Sequence, residues 1–102
     1  MEKFFDIRYE FNKELVWKRI DSQIALGKPD YICVADGVVV NHVQRNPDYR
    51  KTVNNGMFAI CDSSWVPLYL KWIYGIRRSQ YCGPMILKDV ISQAKYRMIF
   101  LG

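Results

Sequence analysis

The chain is 102 residues long, half of them hydrophobic and 15% aromatic, which suits one domain with a thin core and excludes a disordered segment. It has no run of about 18 apolar residues, and its start, MEKFFDIRYEF, carries Glu2, Asp6 and Glu10 where a signal peptide has an apolar core, so a soluble cytoplasmic protein without a spanning helix is expected. The net charge of +5 suits anionic partners, but only Lys18-Arg19, Arg50-Lys51 and Arg77-Arg78 are adjacent basic pairs, and no nucleic-acid interface is expected.

Residues 4–11 alternate enough for one short strand. NKELVWKRIDSQIALGKPD then reads as a helix. Asn12 suits its N-cap, Val16, Ile20 and Ile24 recur at four-residue spacing, and Gly27 and Pro29 end it. DYICVA is an apolar run of the kind buried on both faces of a parallel sheet. Its Cys33, with Cys61 and Cys82, makes an odd set without CxxC spacing. Beside a single histidine, His42, this predicts reduced thiols and neither a metal nor another cofactor. YICVADGVVVNHV has two readings. Asp36-Gly37 between β-branched runs is a hairpin signature; alternatively a turn at Asp36-Gly37 leads into a helix from about Val38 to Arg45, against which the valine run counts.

NPDYRKTVNNG looks like a proline-started helical turn closed by Asn-Gly, and MFAIC like a buried strand. SSWVPLYLKWIYG reads as a helix capped by Ser63 or Ser64 and ended by Gly75. Its Trp65, Tyr69, Trp72 and Tyr74 are expected in core or subunit contacts rather than as a sugar-stacking platform. GPMILKDVISQAK repeats the plan, with Pro84 at the first helical position and Ile86, Leu87, Val90, Ile91 and Ala94 as a buried stripe; YRMIFLG reads as a final strand. Alternating strands and helices predict a three-layer α/β fold. Its sheet is mainly parallel with helices on both faces, a Rossmann-like half domain over residues 1–102. Such sheets bind ligands beyond the carboxyl ends of their strands, where Asp36, Asp62 and Gly102 are expected. Asp62 in FAICDSSW therefore has two readings, the N-cap of the helix that follows it or a carboxylate facing a ligand.

The order of Asp36, VQRNPDYRKTVNNGMFAICDSS, YCGPMILKDVISQA and YRMIFLG resembles the WecG/TagA/CpsF family of glycosyltransferases. RNPDYRKTVNNGMFAICDS is similar to the family's pattern of a basic residue, Asp/Asn-Pro-acid-x-Arg, a short helix, and a strand ending in Pro-Asp-Gly. The family's Gly-Ser-Asp-Leu corresponds to GPMI and its FLLG to IFLG. Val34 and Asp36 stand where the family has Thr-x-Asn, Cys61 and Ser63 flank Asp62, and Met85 replaces the aspartate of Gly-Ser-Asp. The resemblance covers nearly the whole chain and about the first half of a typical member, so a complete donor site is expected to lack its second half.

The resemblance implies an inverting, metal-independent transfer of N-acetylmannosamine or a related sugar. The donor is a UDP-sugar and the acceptor a polyprenyl-pyrophosphate-linked sugar at the inner face of the cell membrane, in surface polysaccharide synthesis. It places the family's general base on Asp62, the side chain that takes the acceptor hydroxyl's proton. Asp36, Ser63 and Gly83 become candidates for substrate contacts in the same cleft. Arg77 and Arg78, near Lys71, are candidates for the acceptor pyrophosphate or anionic lipid headgroups. Apolar surface left exposed is expected to drive self-association. A non-catalytic α/β module that binds an anionic ligand or a protein partner is the alternative.

Overall fold

The computed structural model describes residues 1–93 and 95–99. The chain begins with a hairpin in place of the single strand expected over 4–11: β1 (Glu2–Phe4) and β2 (Ile7–Tyr9) pair antiparallel. Phe5 and Asp6 form the turn at φ 53 and 60, the left-handed pair that matches the twist of two-residue hairpins. Local sequence does not advertise it, since Phe is a poor left-handed residue. Packing secures it: the Gln44 side chain donates to the Phe5 carbonyl and the Asn54 side chain to that of Asp6, both at 2.7 Å.

The helix α1 (Lys13–Leu26) begins and ends as its residues dictate. The Asn12 side chain accepts from the Glu14 and Leu15 N–H groups, and Gly27 closes it at φ 69. Then β3 (Ile32–Ala35) leads into α2 (Gly37–Arg45), so the Asp36-Gly37 hairpin does not form. β3 pairs instead in parallel with β4 (Phe58–Cys61). Between them, α3 (Pro47–Asn55) starts on an Asn46 cap and ends at Gly56. A Cβ at Gly56 would stand 2.7 Å from the Tyr31 carbonyl oxygen, which explains the Asn-Gly closure as a close approach. After β4 come α4 (Trp65–Tyr69), a π-helical continuation over Leu70–Tyr74, and α5 (Gly83–Gln93).

The sheet order is β1-β2-β4-β3, with β2, β4 and β3 parallel and only β1 antiparallel. β4 sits between β2 and β3 and is buried throughout. Its alternation feeds two cores. Ala59 and Cys61 join Ile7, Tyr9, Val43, Val53 and Leu70 on the face covered by α2, α3 and α4. Phe58 and Ile60 join Val16 and Tyr81, flanked by Ile20 and Ile86, under α1 and α5. The architecture is the expected α/β one, with helices on both faces.

One expectation is corrected on the second face. The described residues of the α5 stripe are not buried: Leu87 is 46% and Ile91 52% exposed, and Ile86 and Val90 are half-buried. Likewise, of the α1 stripe only Val16 is fully covered, and Ile24 lines an open apolar groove of about 500 Å³ together with Ile86 and Val90. Among the described residues β3 is the outer strand, and no described strand lies beyond it for α5 to pack on. Residues 96–99 of the expected final strand are not strand, and Ala94 and 100–102, including Gly102, lie outside the described residues.

Candidate functional site

Asp36 and Asp62 follow the carboxyl ends of neighbouring parallel strands, and the Asp62 N–H donates to the Ala35 carbonyl at 3.3 Å. Asp36 has an extended backbone, and its Oδ1 accepts from the Val39 N–H at 3.0 Å. It therefore caps α2, which overrides the poor propensity of the valine run. Ser63 caps α4 from its side chain, with Oγ accepting from the Trp65 N–H at 3.0 Å, and Ser64 makes no such bond. Asp36, Gly37 and Val38 face Ser63, Trp65 and Tyr69 across a cleft of about 550 Å³.

The aromatic wall of this cleft departs from the sequence reading. Val66 and Leu70 are the residues of the helix that enter the core, whereas Trp65 and Tyr69 remain 61% and 43% exposed. Both pairs have four-residue spacing, so periodicity alone does not say which is inside. The readable signal was position: Trp65 follows a strand end by only a few residues, where the helix starts at the ligand edge. Of the other aromatics, Trp72 is exposed, and Tyr74 packs edge-on against Phe4 and Phe5.

Asp62 does not cap the helix that follows it. Its Oδ1 accepts from the Gly83 N–H at 2.7 Å, so the carboxylate caps α5, the later helix. The start of a helix favours a carboxylate through its free N–H groups and its dipole. Among the described residues Oδ2 forms no hydrogen bond. The side chain is half-buried, beside Val34: a Cβ built on Gly83 would stand 3.6 Å from Val34 Cγ1 and 3.9 Å from Asp62 Oδ1. Of the residues singled out from sequence, Asp62 and Gly83 are thus joined directly, and Asp36 and Ser63 share one cleft. The two pairs meet through the Asp62-Ser63 peptide.

Arg77 and Arg78 stand outside that cleft. Arg78 grips Glu2 through two hydrogen bonds of 2.7 and 2.6 Å, which hold the Glu2 carboxyl below the usual range. Both arginines border a depression of about 350 Å³ with Ser64, Pro67 and Lys71. Beneath the acids the floor is neutral. Tyr9 is fully buried, and burial, assisted by Cys61 and Asp36, pushes its hydroxyl far above the ordinary tyrosine value. Its oxygen has no hydrogen-bond partner among the described residues. Burial likewise raises the Cys61 thiol. All three cysteines are free, and no cluster of three or more His, Cys, Asp or Glu stands ready for a metal ion among the described residues.

Comparison with known proteins bears on this geometry. The model of the glycosyl transferase WecG/TagA/CpsF family matches residues 3–102. No curated protein and no solved structure matches the chain.

Proposed function

The chain belongs to the WecG/TagA/CpsF glycosyl transferase family, and on that premise we propose that it transfers an N-acetylhexosamine such as N-acetylmannosamine from a UDP-sugar to a lipid-pyrophosphate-linked sugar in surface polysaccharide synthesis. The observation that carries the reading is Asp62, held at a strand end through one oxygen while the other makes no bond among the described residues. In the proposed reaction that oxygen takes the acceptor hydroxyl's proton as the hydroxyl attacks the anomeric carbon. UDP leaves from the opposite face, and the configuration inverts without a metal. Asp36 and Ser63 offer hydrogen bonds to sugar hydroxyls, Gly83 holds the base, and Trp65 and Tyr69 offer faces for a sugar ring. Arg77 is the side chain proposed for the acceptor pyrophosphate, because Arg78 is committed to Glu2.

In this reading, residues 1–102 form the N-terminal part of the transferase core. The enzyme works at the cytoplasmic face of the membrane, and its copies self-associate through exposed apolar residues. No helix among the described residues is long and apolar enough to cross a membrane. The second reading, a non-catalytic module that binds an anionic ligand or a protein partner, draws support from Val34. Its methyl groups line the wall beside Gly83 and Asp62 where the family has a hydroxyl.

Incubation with UDP-N-acetylmannosamine and a synthetic lipid-pyrophosphate-linked acceptor is expected to release UDP and lengthen the acceptor by one sugar. Asp62→Asn keeps the acceptor atom for Gly83 and should lower turnover by at least about a hundredfold. Undiminished turnover would remove Asp62 from the role. Saturable UDP-sugar binding without turnover by the unaltered protein would favour the non-catalytic reading.

A further inference from the structure

Arg8 of β2 and Lys18 and Arg19 of α1 line a depression of about 550 Å³ with Asp30, Gly56 and Met57. Asp30 precedes β3, and Gly56 and Met57 precede β4. The depression therefore lies at the amino ends of these strands, about 13 Å of strand away from Asp36 and Asp62. Both of its guanidinium groups are held from behind. Arg8 Nη2 donates to the Asn54 carbonyl and, at 2.9 Å, to the Gly56 carbonyl, which leaves Nε and Nη1 without a hydrogen bond among the described residues. The Arg19 guanidinium lies 5.1 Å over the ring of Phe58, itself a core residue, and such a contact occupies none of its N–H groups. Arg8, Lys18 and Arg19 form no ion pair among the described residues. Asp30 is the one acid among the described lining residues, and its Oδ1 accepts the Tyr31 N–H at 2.8 Å. Three cations around one hollow repel each other, and a single carboxylate does not balance them.

We propose that this depression is a second ligand site, which binds a small phosphate-bearing anion between Arg8, Lys18 and Arg19. The planar fork of a guanidinium matches two phosphate oxygens at once, and one that is already fixed loses little freedom on binding. Arg8 is fixed by carbonyls and Arg19 by a ring, while Lys18 adds a charge that can follow the ligand. The volume suits a small molecule, and Leu15 and Met57 on the wall offer apolar contact to an organic body carried by the phosphate. A nucleic acid is a poorer occupant, because it needs a basic track. The other adjacent basic pairs, Arg50-Lys51 and Arg77-Arg78, do not line this depression. The site stands apart from the transfer reading, since none of its residues borders the cleft of Asp36 and Ser63.

The test is titration of the isotope-labelled protein with inorganic pyrophosphate, and separately with glucose phosphate, followed by heteronuclear NMR at low salt. The backbone amides of Ser22, Gln23, Gly56 and Met57 are expected to shift and saturate, with a dissociation constant of about 1 mM or tighter. Tighter binding of pyrophosphate identifies a free diphosphate as the ligand, and tighter binding of glucose phosphate a phosphate ester; either order supports the site. High sodium chloride should suppress the same shifts in the unaltered protein, because the contacts are ionic. Lys18→Gln/Arg19→Gln should weaken binding at least about tenfold, with far-ultraviolet circular dichroism unchanged. Arg8 is left in place because it also ties the hairpin to α3. Failure of these amides to saturate with either ligand overturns the proposal. So do shifts confined to the surroundings of Arg77 or of Asp36 and Asp62, and undiminished affinity in the folded double variant.

Discussion

The Asp62 carboxylate joins the end of β4 to the start of α5, because its Oδ1 accepts the Gly83 N–H. Asp62→Ala should therefore cost about 1 kcal/mol of stability, the usual loss of a cap, whereas Asp62→Asn should cost little. Urea unfolding of both beside the transfer assay separates the structural part of Asp62 from the catalytic one. Tyr81 plays a comparable joining role. Its hydroxyl donates to Asp89, accepts the Trp17 indole N–H at 3.0 Å, and so ties α1 to α5. Burial first, and then the bond to Asp89, push this hydroxyl from 10.0 up to about 12. The folded state thus holds the Tyr81 proton more tightly than the unfolded state does. Its stabilisation is complete below the unfolded value and is lost as pH rises from about 10 through about 12. Melting temperature should fall across that window, and the fall should be shallower in Tyr81→Phe. The variant should also lose about 1 kcal/mol at neutral pH through the orphaned Trp17 N–H, while Asp89 keeps its ion pair with Lys13.

Among the elements, the β1–β2 hairpin depends most on its neighbours. Asn54 on α3 accepts from the Arg8 N–H at 3.2 Å and donates to the Asp6 carbonyl at 2.7 Å. The Arg8 guanidinium returns the contact to the Asn54 and Gly56 carbonyls. Asn54→Ala removes both side-chain bonds at once and should destabilise the protein by about 2 kcal/mol, read from the urea midpoint. α3 thereby explains why residues 4–11 do not form one strand. Their alternation is real, but two carbonyl captures from distant helices make a left-handed turn at Phe5 and Asp6 affordable. α2 shows the reverse case. A turn at Asp36-Gly37 leading into it was visible in the sequence, and a hairpin was equally visible. β4 decided between them by pairing with β3 in register, Cys33 beside Ala59 and Ala35 beside Cys61.

For the whole molecule, the consequential feature is the asymmetry between its two cores. β4 feeds both, so Ile60→Ala is expected to cost about 2–5 kcal/mol, a large share of the roughly 5–15 kcal/mol that holds a domain folded. Ile91→Ala, on the exposed side of α5, should stay within about 0.5 kcal/mol; thermal melts of the pair test this distribution directly. Self-association, proposed above, belongs to the same exposed surface. The sequence by itself determined the helix starts and stops at Asn12, Gly27, Pro47 and Gly75, the buried strand of β4, the α/β alternation, and the family pattern around Asp62. Each is written in local chemistry: a side-chain acceptor, a left-handed glycine, a fixed proline φ, or a continuous apolar run. Only the tertiary structure decided which helix Asp62 caps, that Trp65 and Tyr69 line a cleft, that Arg78 is spent on Glu2, and that the α5 stripe is half open. Those outcomes depend on which groups distant in sequence arrive side by side. Hydrogen-bond partners and neighbouring surfaces are properties of the packed sheet, and a residue's own spacing does not carry them.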